Sequence, residues 1–294
     1  MSHGPESASR PGAPSAHPSP AAAGEVSLSP FEGWHCRHLY YRFCRSTLKA
    51  LRPEDLENGA EEIQQILDPS GQHAPTRIQV ASTSGQRADF GVMALDADPL
   101  KLDSVHHRLM ASALGSALVP AYSFVSLTEV SEYVPTVEQY GQRLVVEGED
   151  PNGPGYRAKL KAYESREEMM RKQRLHPEFP AWPIQCFYPM NKKRKVGENW
   201  FALPFDERNK MMAEHGRSGM KFGGKVTQLI TASIGFDDWE WGVTLWARNP
   251  QFIKDIVYVM RFDEASARYA EFGPFFIGYV CSAGDMLRQC RVIG

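Results

Sequence analysis

An order of strand and helix signals occurs twice in this chain, and that repetition restricts its fold more than any other feature. In the first pass "GWHCRHLYYRF" (33–43) alternates as a strand does. A helix fits 53–67, where Leu56, Ala60, Ile63 and Leu67 recur at helical spacing. Strands are expected over 76–83 and 88–96. Asp98 and Pro99 then supply an N-cap and a first-turn proline for a helix to Leu114, with Leu102, Val105 and Leu109 on one face. "VPAYSFVSLTEVSEY" (119–133) closes the unit as a strand.

The second pass begins with the strand "WPIQCFYP" (182–189) and a helix "LPFDERNKMMAEHG" (203–216), which Gly216 should stop. Strands follow at 225–234 and about 239–247. Asn249-Pro250 opens a helix lined by Phe252, Ile256 and Val259, and "FGPFFIGYVCS" (272–282) ends the unit as a strand. Each pass reads β-α-β-β-α-β, the split βαβ order of a ferredoxin-like unit. The expected fold class is therefore α+β, two tandem ferredoxin-like halves whose antiparallel sheets bury one face against each other or against helices.

These halves cover 31–133 and 181–294, and a polar, charged connector of 134–180 separates them. "YRAKLKAYESREEMMRKQRL" (156–175) in that connector reads as a helix and "HPEFPAWP" (176–183) as an extended return. Residues 1–30 hold no Phe, Trp, Tyr or Ile, too little apolar surface to offset ordering entropy, so a disordered tail is expected there. "PAAAG" is too short and weakly apolar for a signal sequence, and the expected location is cytoplasmic. No apolar run approaches the ~20 residues of a membrane span. A net charge of −2 gives no general attraction to nucleic acid, so any recognition of anions must be local. The five cysteines, an odd number without a CxxC pair, read as free thiols of a reducing compartment.

Local positive charge is concentrated in "YPMNKKRKVGENW" (188–200). On a strand Tyr188, Met190 and Lys192 share one face, spanning roughly 13 Å at ~3.3 Å per residue. That places a tyrosine and a cation on one surface, although a strand end followed by a solvated basic turn would look the same. His215 follows Met211 and Met212 on its helix, with glycine after it. It either complements the helix dipole or serves as a single axial ligand to iron. Gln228 places an amide on the apolar face of "KVTQLIT", for structure or for a ligand. Arg174 and Arg261 are further local cations.

Several long motifs carry a resemblance: "CFYPMNKKR", "NWFALPFDERNKMMAEHG", "GKVTQLITASIGFDDWEWGVTLWA" and "MRFDEASARYAEFGPFFIG". The chain resembles the coproheme decarboxylases, hydrogen-peroxide-dependent haem synthases of the chlorite-dismutase-like superfamily. The match is strongest over 182–279 and looser over 33–133. It implies two ferredoxin-like halves in a dimeric α+β barrel type of subunit, porphyrin in the C-terminal half, and assembly as a homo-oligomeric ring, often a pentamer. It implies iron coproporphyrin III as a substrate that is its own cofactor, hydrogen peroxide as oxidant and haem b as product, with two propionates converted to vinyl groups.

By the same resemblance His215 is the iron ligand, Tyr188 the redox-active residue and Lys192 its proton-handling companion. Arg174, Arg261 and Ser266 hold propionates. The run Tyr188, Pro189, Met190, Asn191 and Lys192 lines the pocket, with Trp200 a neighbour, and Gln228 is the distal residue. Chlorite-dismuting relatives carry an arginine at the position of Gln228, so the neutral amide favours decarboxylation. The competing readings are a chlorite-dismutase-like haem peroxidase and a non-enzymatic haem-binding protein.

Overall fold

The computed structural model describes residues 26–294; most of the expected tail, up to residue 25, lies outside the described residues. The first half comprises β1 (His35–Phe43), α1 (Pro53–Ile66), β2 (Arg77–Thr83), β3 (Phe90–Asp96), α2 (Pro99–Ala111) and β4 (Leu118–Thr128). Two connector helices follow, α3 (Val137–Val146) and α4 (Pro154–Leu175). The second half comprises β5 (Ile184–Lys192), α5 (Phe205–Met220), β6 (Val226–Ala232), β7 (Trp241–Ala247), α6 (Pro250–Met260), α7 (Glu264–Tyr269) and β8 (Phe276–Cys281), and α8 (Ala283–Gln289) comes last. The strand orders are β2-β3-β1-β4 and β6-β7-β5-β8, with every neighbour antiparallel. Both are the ferredoxin-like order.

The two sheets do not stack as separate layers. They join edge to edge: β4 pairs β6 through Leu127↔Ala232 and Thr128↔Thr231, and β8 pairs β2 from Gly278↔Thr83 to Cys281↔Val80. Eight of the sheet's nine strands thus close into a barrel, which removes the exposed edges of each half, and the ninth, Ala270–Phe272, pairs with Met190–Lys192. The interior is filled by Tyr40, Phe124, Phe187 and Phe276. His38 stacks on Phe187 with centroids 4.0 Å apart and shares a 2.8 Å hydrogen bond with the Thr244 hydroxyl. Burial pushes its pKa down to about 3, so it is neutral structure. Gly91 and Gly242 make this packing possible, since a Cβ would lie 2.4 Å from the Tyr40 ring and 2.5 Å from that of Phe124.

Helices cover the outer faces. In the first half Leu39, Tyr41 and Phe43 pack under Ile63 of α1 and Leu102, Val105 and Leu109 of α2, as the helical spacing predicts. Met286 and Leu287 of α8 complete that core, each fully buried. Each such side chain contributes roughly 1.5–3 kcal/mol by leaving water.

Local expectations change at five of these helices, one of them α8, which was not expected and which Ser282 caps. α2 stops at Ala111, before Leu114, where the Ser112 hydroxyl donates to the Leu109 carbonyl at 2.7 Å. α5 passes through Gly216, because that glycine keeps a helical backbone and the first left-handed residue beyond is Gly224 at φ 74°. α3 was not expected, although Thr136 and Gln139 form the reciprocal capping box that starts it. Its Tyr140 stacks on Tyr163 of α4 at 4.0 Å, so the connector is a packed helical hairpin. α7 was not expected either; Asp263 caps it. All five cysteines are free, and no helix among the described residues is long and apolar enough to cross a membrane.

Candidate functional site

Strand alternation sorts the run from Tyr188 to Lys192 onto two faces. Tyr188, Met190 and Lys192 point outward, under the helices of the second half. Pro189 points the other way, against Gly273 and Trp239, and the Asn191 side-chain oxygen accepts the Glu240 N–H at 2.7 Å. Tyr188 stacks on Phe275 at 4.4 Å and meets Phe272 edge-on at 5.7 Å. Burial, with help from Cys186, raises its pKa, and Arg261 opposes the shift. The phenol is therefore protonated, and no hydrogen bond among the described residues uses its oxygen.

Lys192 is 9% exposed, although three cations follow it. Its neighbours take those charges to the surface: Lys193 pairs with Glu198 at 3.1 Å and Arg194 with Glu240 at 3.2 Å. Lys192 itself donates to the Ala265 carbonyl at 3.1 Å and lies 4.1 Å over the Trp200 ring. Loss of water lowers its pKa from 10.5 to about 8, with Asp263 resisting. A lysine so placed gives up its proton more readily than an exposed one.

His215 stands inside α5 and not at its end, which removes the helix-dipole explanation. Its Nδ1 is 3.0 Å from Asp263 Oδ2 and 3.3 Å from the Ser266 hydroxyl. Burial works against the Asp263 carboxylate, but hydrogen bonding from His215 and the Ser266 N–H holds its pKa below the usual range. With Nδ1–H donating to Asp263, the lone pair of the imidazole is on Nε2, the arrangement that prepares a histidine to bind a metal. Ser266 thus has its hydroxyl committed to the histidine–aspartate pair.

The remaining predicted residues come from neighbouring elements. Arg261, at the end of α6, lies 5.2 Å over Phe272 and its charge reaches Tyr188. Gln228 is on the outward face of β6; its row runs through Leu245 to Cys186, adjacent to the row of Tyr188. At ~4.8 Å per strand it is roughly 10 Å from β5. Arg174 is half-buried, desolvated and close enough to Glu129 to feel its charge, and Glu129 accepts the Trp241 indole N–H at 3.2 Å. Trp241 is opposite Met190, so Arg174 approaches the same end of the strand. Trp200 packs with Met211, Ala265 and Tyr269. Sequence reasoning missed Asp263, Glu129 and the Ala265 carbonyl. Only Asp263 had a signal, as an N-cap.

The two halves carry different side chains at equivalent positions. His35↔Asp96 and Ile184↔Ala247 are equivalent pairs, each three residues before the proline that opens a helix. Counting along the strands puts Leu39 at the place of Tyr188 and Phe43 at that of Lys192. Ile78, opposite Ala94, corresponds to Gln228, opposite Leu245. All three first-half residues are buried in a packed core. At these three positions the second half carries the polar side chains and the first half does not.

The fold and site define an α+β barrel built from two ferredoxin-like halves, with one chemically equipped face. A sequence profile described as chlorite dismutase matches residues 56–281. The chain belongs to the chlorite dismutase family. It is 39% identical over 257 residues to the coproheme decarboxylase of Staphylococcus carnosus (strain TM300), covering 85% of this chain and 92% of that protein. The solved structure of a haem-binding protein from Thermus thermophilus aligns with a TM-score of 0.70 at 34% identity, over 88% of this chain and 94% of the other. A variant of chlorite dismutase from Candidatus Nitrospira defluvii aligns at 0.65 with 15% identity, over 89% and 96%, a likeness of fold.

Proposed function

We propose that this protein is an oxidoreductase that converts iron coproporphyrin III to haem b, decarboxylating two propionates to vinyl groups with hydrogen peroxide. The observation that carries the reading is that Tyr188 and Lys192 share one strand face, and that Lys192 and an Asp263-oriented His215 meet the same short helix, α7, at Ala265 and at its cap Asp263. The 39% identity to a coproheme decarboxylase supports the same substrate. The residues fit an iron porphyrin with several carboxylates. His215 offers Nε2, while Met190, Ile230, Val243 and Phe272 supply apolar surface, and Lys192, Arg261 and Arg174 supply charge.

The substrate's iron supplies the reduction of peroxide. The stoichiometry per propionate is –CH2–CH2–CO2⁻ plus H2O2 plus one proton, giving –CH=CH2, carbon dioxide and two waters. Tyr188, protonated and apolar-walled, gives up its hydroxyl hydrogen and recovers one from the propionate β-carbon. Lys192 supplies the proton that the balance requires, as an acid whose pKa is lowered to about 8. Arg261 and Arg174 would hold the other carboxylates, and Gln228 would offer peroxide a neutral hydrogen bond. The neutral amide supports this reading over chlorite chemistry.

All five cysteines being free supports a cytoplasmic setting. A ring of identical subunits is part of the same proposal, and sedimentation would count them. The deciding experiment adds ferric coproporphyrin III to the protein, titrates peroxide and follows porphyrin mass. Two successive losses of carbon dioxide, giving haem b, are expected. Tyr188→Phe should bind the porphyrin and leave its mass unchanged; normal haem formation by that variant would remove Tyr188 from the mechanism. An unaltered porphyrin mass with the wild-type chain would overturn the reading.

A further inference from the structure

Lys192 must hold a charged head in a place where water is scarce and a carboxylate has to come and go. Its ammonium has three N–H groups. One donates to the Ala265 carbonyl at 3.1 Å, and the nitrogen lies 4.1 Å from the centroid of the Trp200 ring. Among the described residues it makes no ion pair within 4 Å. Asp263 supports the charge from beyond contact distance and is itself bonded to His215 and Ser266; a carboxylate in contact, the usual partner of a buried lysine, would compete with the substrate and take the proton. The face of an indole attracts a cation through its quadrupole, carries no formal charge and accepts no proton.

Trp200 is built to stay in place. It is 3% exposed, contacts Tyr269 at 5.4 Å and Tyr133 at 6.4 Å, and its backbone N–H donates to the Lys193 carbonyl at 3.0 Å. It packs with Met211, Ala265 and Tyr269, a group separate from the Ile184–Val243 cluster that surrounds Tyr188. Its ring therefore backs the lysine and is not part of the wall around the tyrosine.

We propose that Trp200 is a positioning residue whose ring face holds the Lys192 ammonium against the Ala265 carbonyl, leaving the third N–H for a substrate carboxylate. The inference rests on the decarboxylase reading for the identity of that carboxylate, but the contact itself exists without substrate. This adds a defined role to the expectation that Trp200 neighbours the porphyrin. It gives the tryptophan a role in kcat that acts through Lys192, with no contact of its own to the porphyrin required.

Two measurements test it on the full chain. The first is NMR of the porphyrin-free protein, with the Lys192 ε-methylene signals assigned by their loss in Lys192→Arg. Protons over an aromatic face move upfield, so wild type should show upfield-shifted signals, Trp200→Phe a smaller shift and Trp200→Leu none. Ordinary lysine shifts in wild type would overturn the proposal, even if the leucine variant failed to fold. The second is steady-state decarboxylation of ferric coproporphyrin III. Trp200→Leu should lower kcat by about tenfold, within the range of a desolvated cation–π contact, with KM unchanged, and Trp200→Phe should restore most of it. A raised KM with unchanged kcat would make Trp200 a porphyrin contact instead. A wild-type chain without decarboxylase activity would refute the proposed function, and the NMR result would still decide the contact.

Discussion

Replacing Lys192 by methionine tests the electrostatics of the site without any substrate. The unfolded lysine titrates at 10.5 and the folded one at about 8, because burial disfavours the ammonium more than Asp263 supports it. Between those values the unfolded chain binds a proton that the folded chain does not, so stability rises with pH across that interval. The full difference is about 3 kcal/mol, at 1.36 kcal/mol per pH unit. Below about pH 8 both states carry the charge and the penalty is constant, and above 10.5 neither does. Methionine keeps the unbranched length and removes the charge. The assay is urea unfolding of both porphyrin-free proteins from pH 7 to 10. Wild type should gain about 2 kcal/mol relative to Lys192→Met over that range. The comparison is needed because other lysines and tyrosines titrate in both proteins. A flat difference would mean that the ammonium is hydrated in solution, and a falling one that an anion stabilises it. Either result would refute the desolvation argument.

Asp263→Asn should weaken ferric coproporphyrin III binding by roughly 10–100-fold but leave iron-free coproporphyrin unaffected; equal losses would reduce Asp263 to the cap of α7. His215→Ala should weaken the iron porphyrin similarly and change its Soret band, and an unchanged spectrum would remove His215 as ligand. Gln228→Ala should keep most decarboxylase activity, and more than a tenfold loss would make the amide part of the chemistry. Gly242→Val should cost about 1–3 kcal/mol or more by overpacking, since even a Cβ would lie 2.5 Å from Phe124 and 3.1 Å from Phe187. A melting temperature within a degree of wild type would show a looser interior than described.

What was legible in the sequence was local. Alternation and helical spacing found the paired halves, and Asp98 and Asn249 do accept the hydrogen bonds expected of caps. Closure of the barrel was not legible from patterning, because the seams join residues as distant as Thr83 and Gly278. Alternation put Tyr188 and Lys192 on one face, yet the same alternation turns Pro189 and Asn191 away from it. Gly216 misled because glycine permits a left-handed stop without requiring one. The Ala265 carbonyl that receives Lys192 is a backbone atom, and no residue type announces it.

The core of the first half includes Met286, Leu287 and Cys290. During synthesis, a chain emerging from the ribosome would present the first half with its greasy outer groove still open. That groove is capped only after residues 283–290 have been made. The half translated first is therefore finished last. A nascent chain stalled anywhere in the second half would be a client for chaperones, however well its early strands had paired.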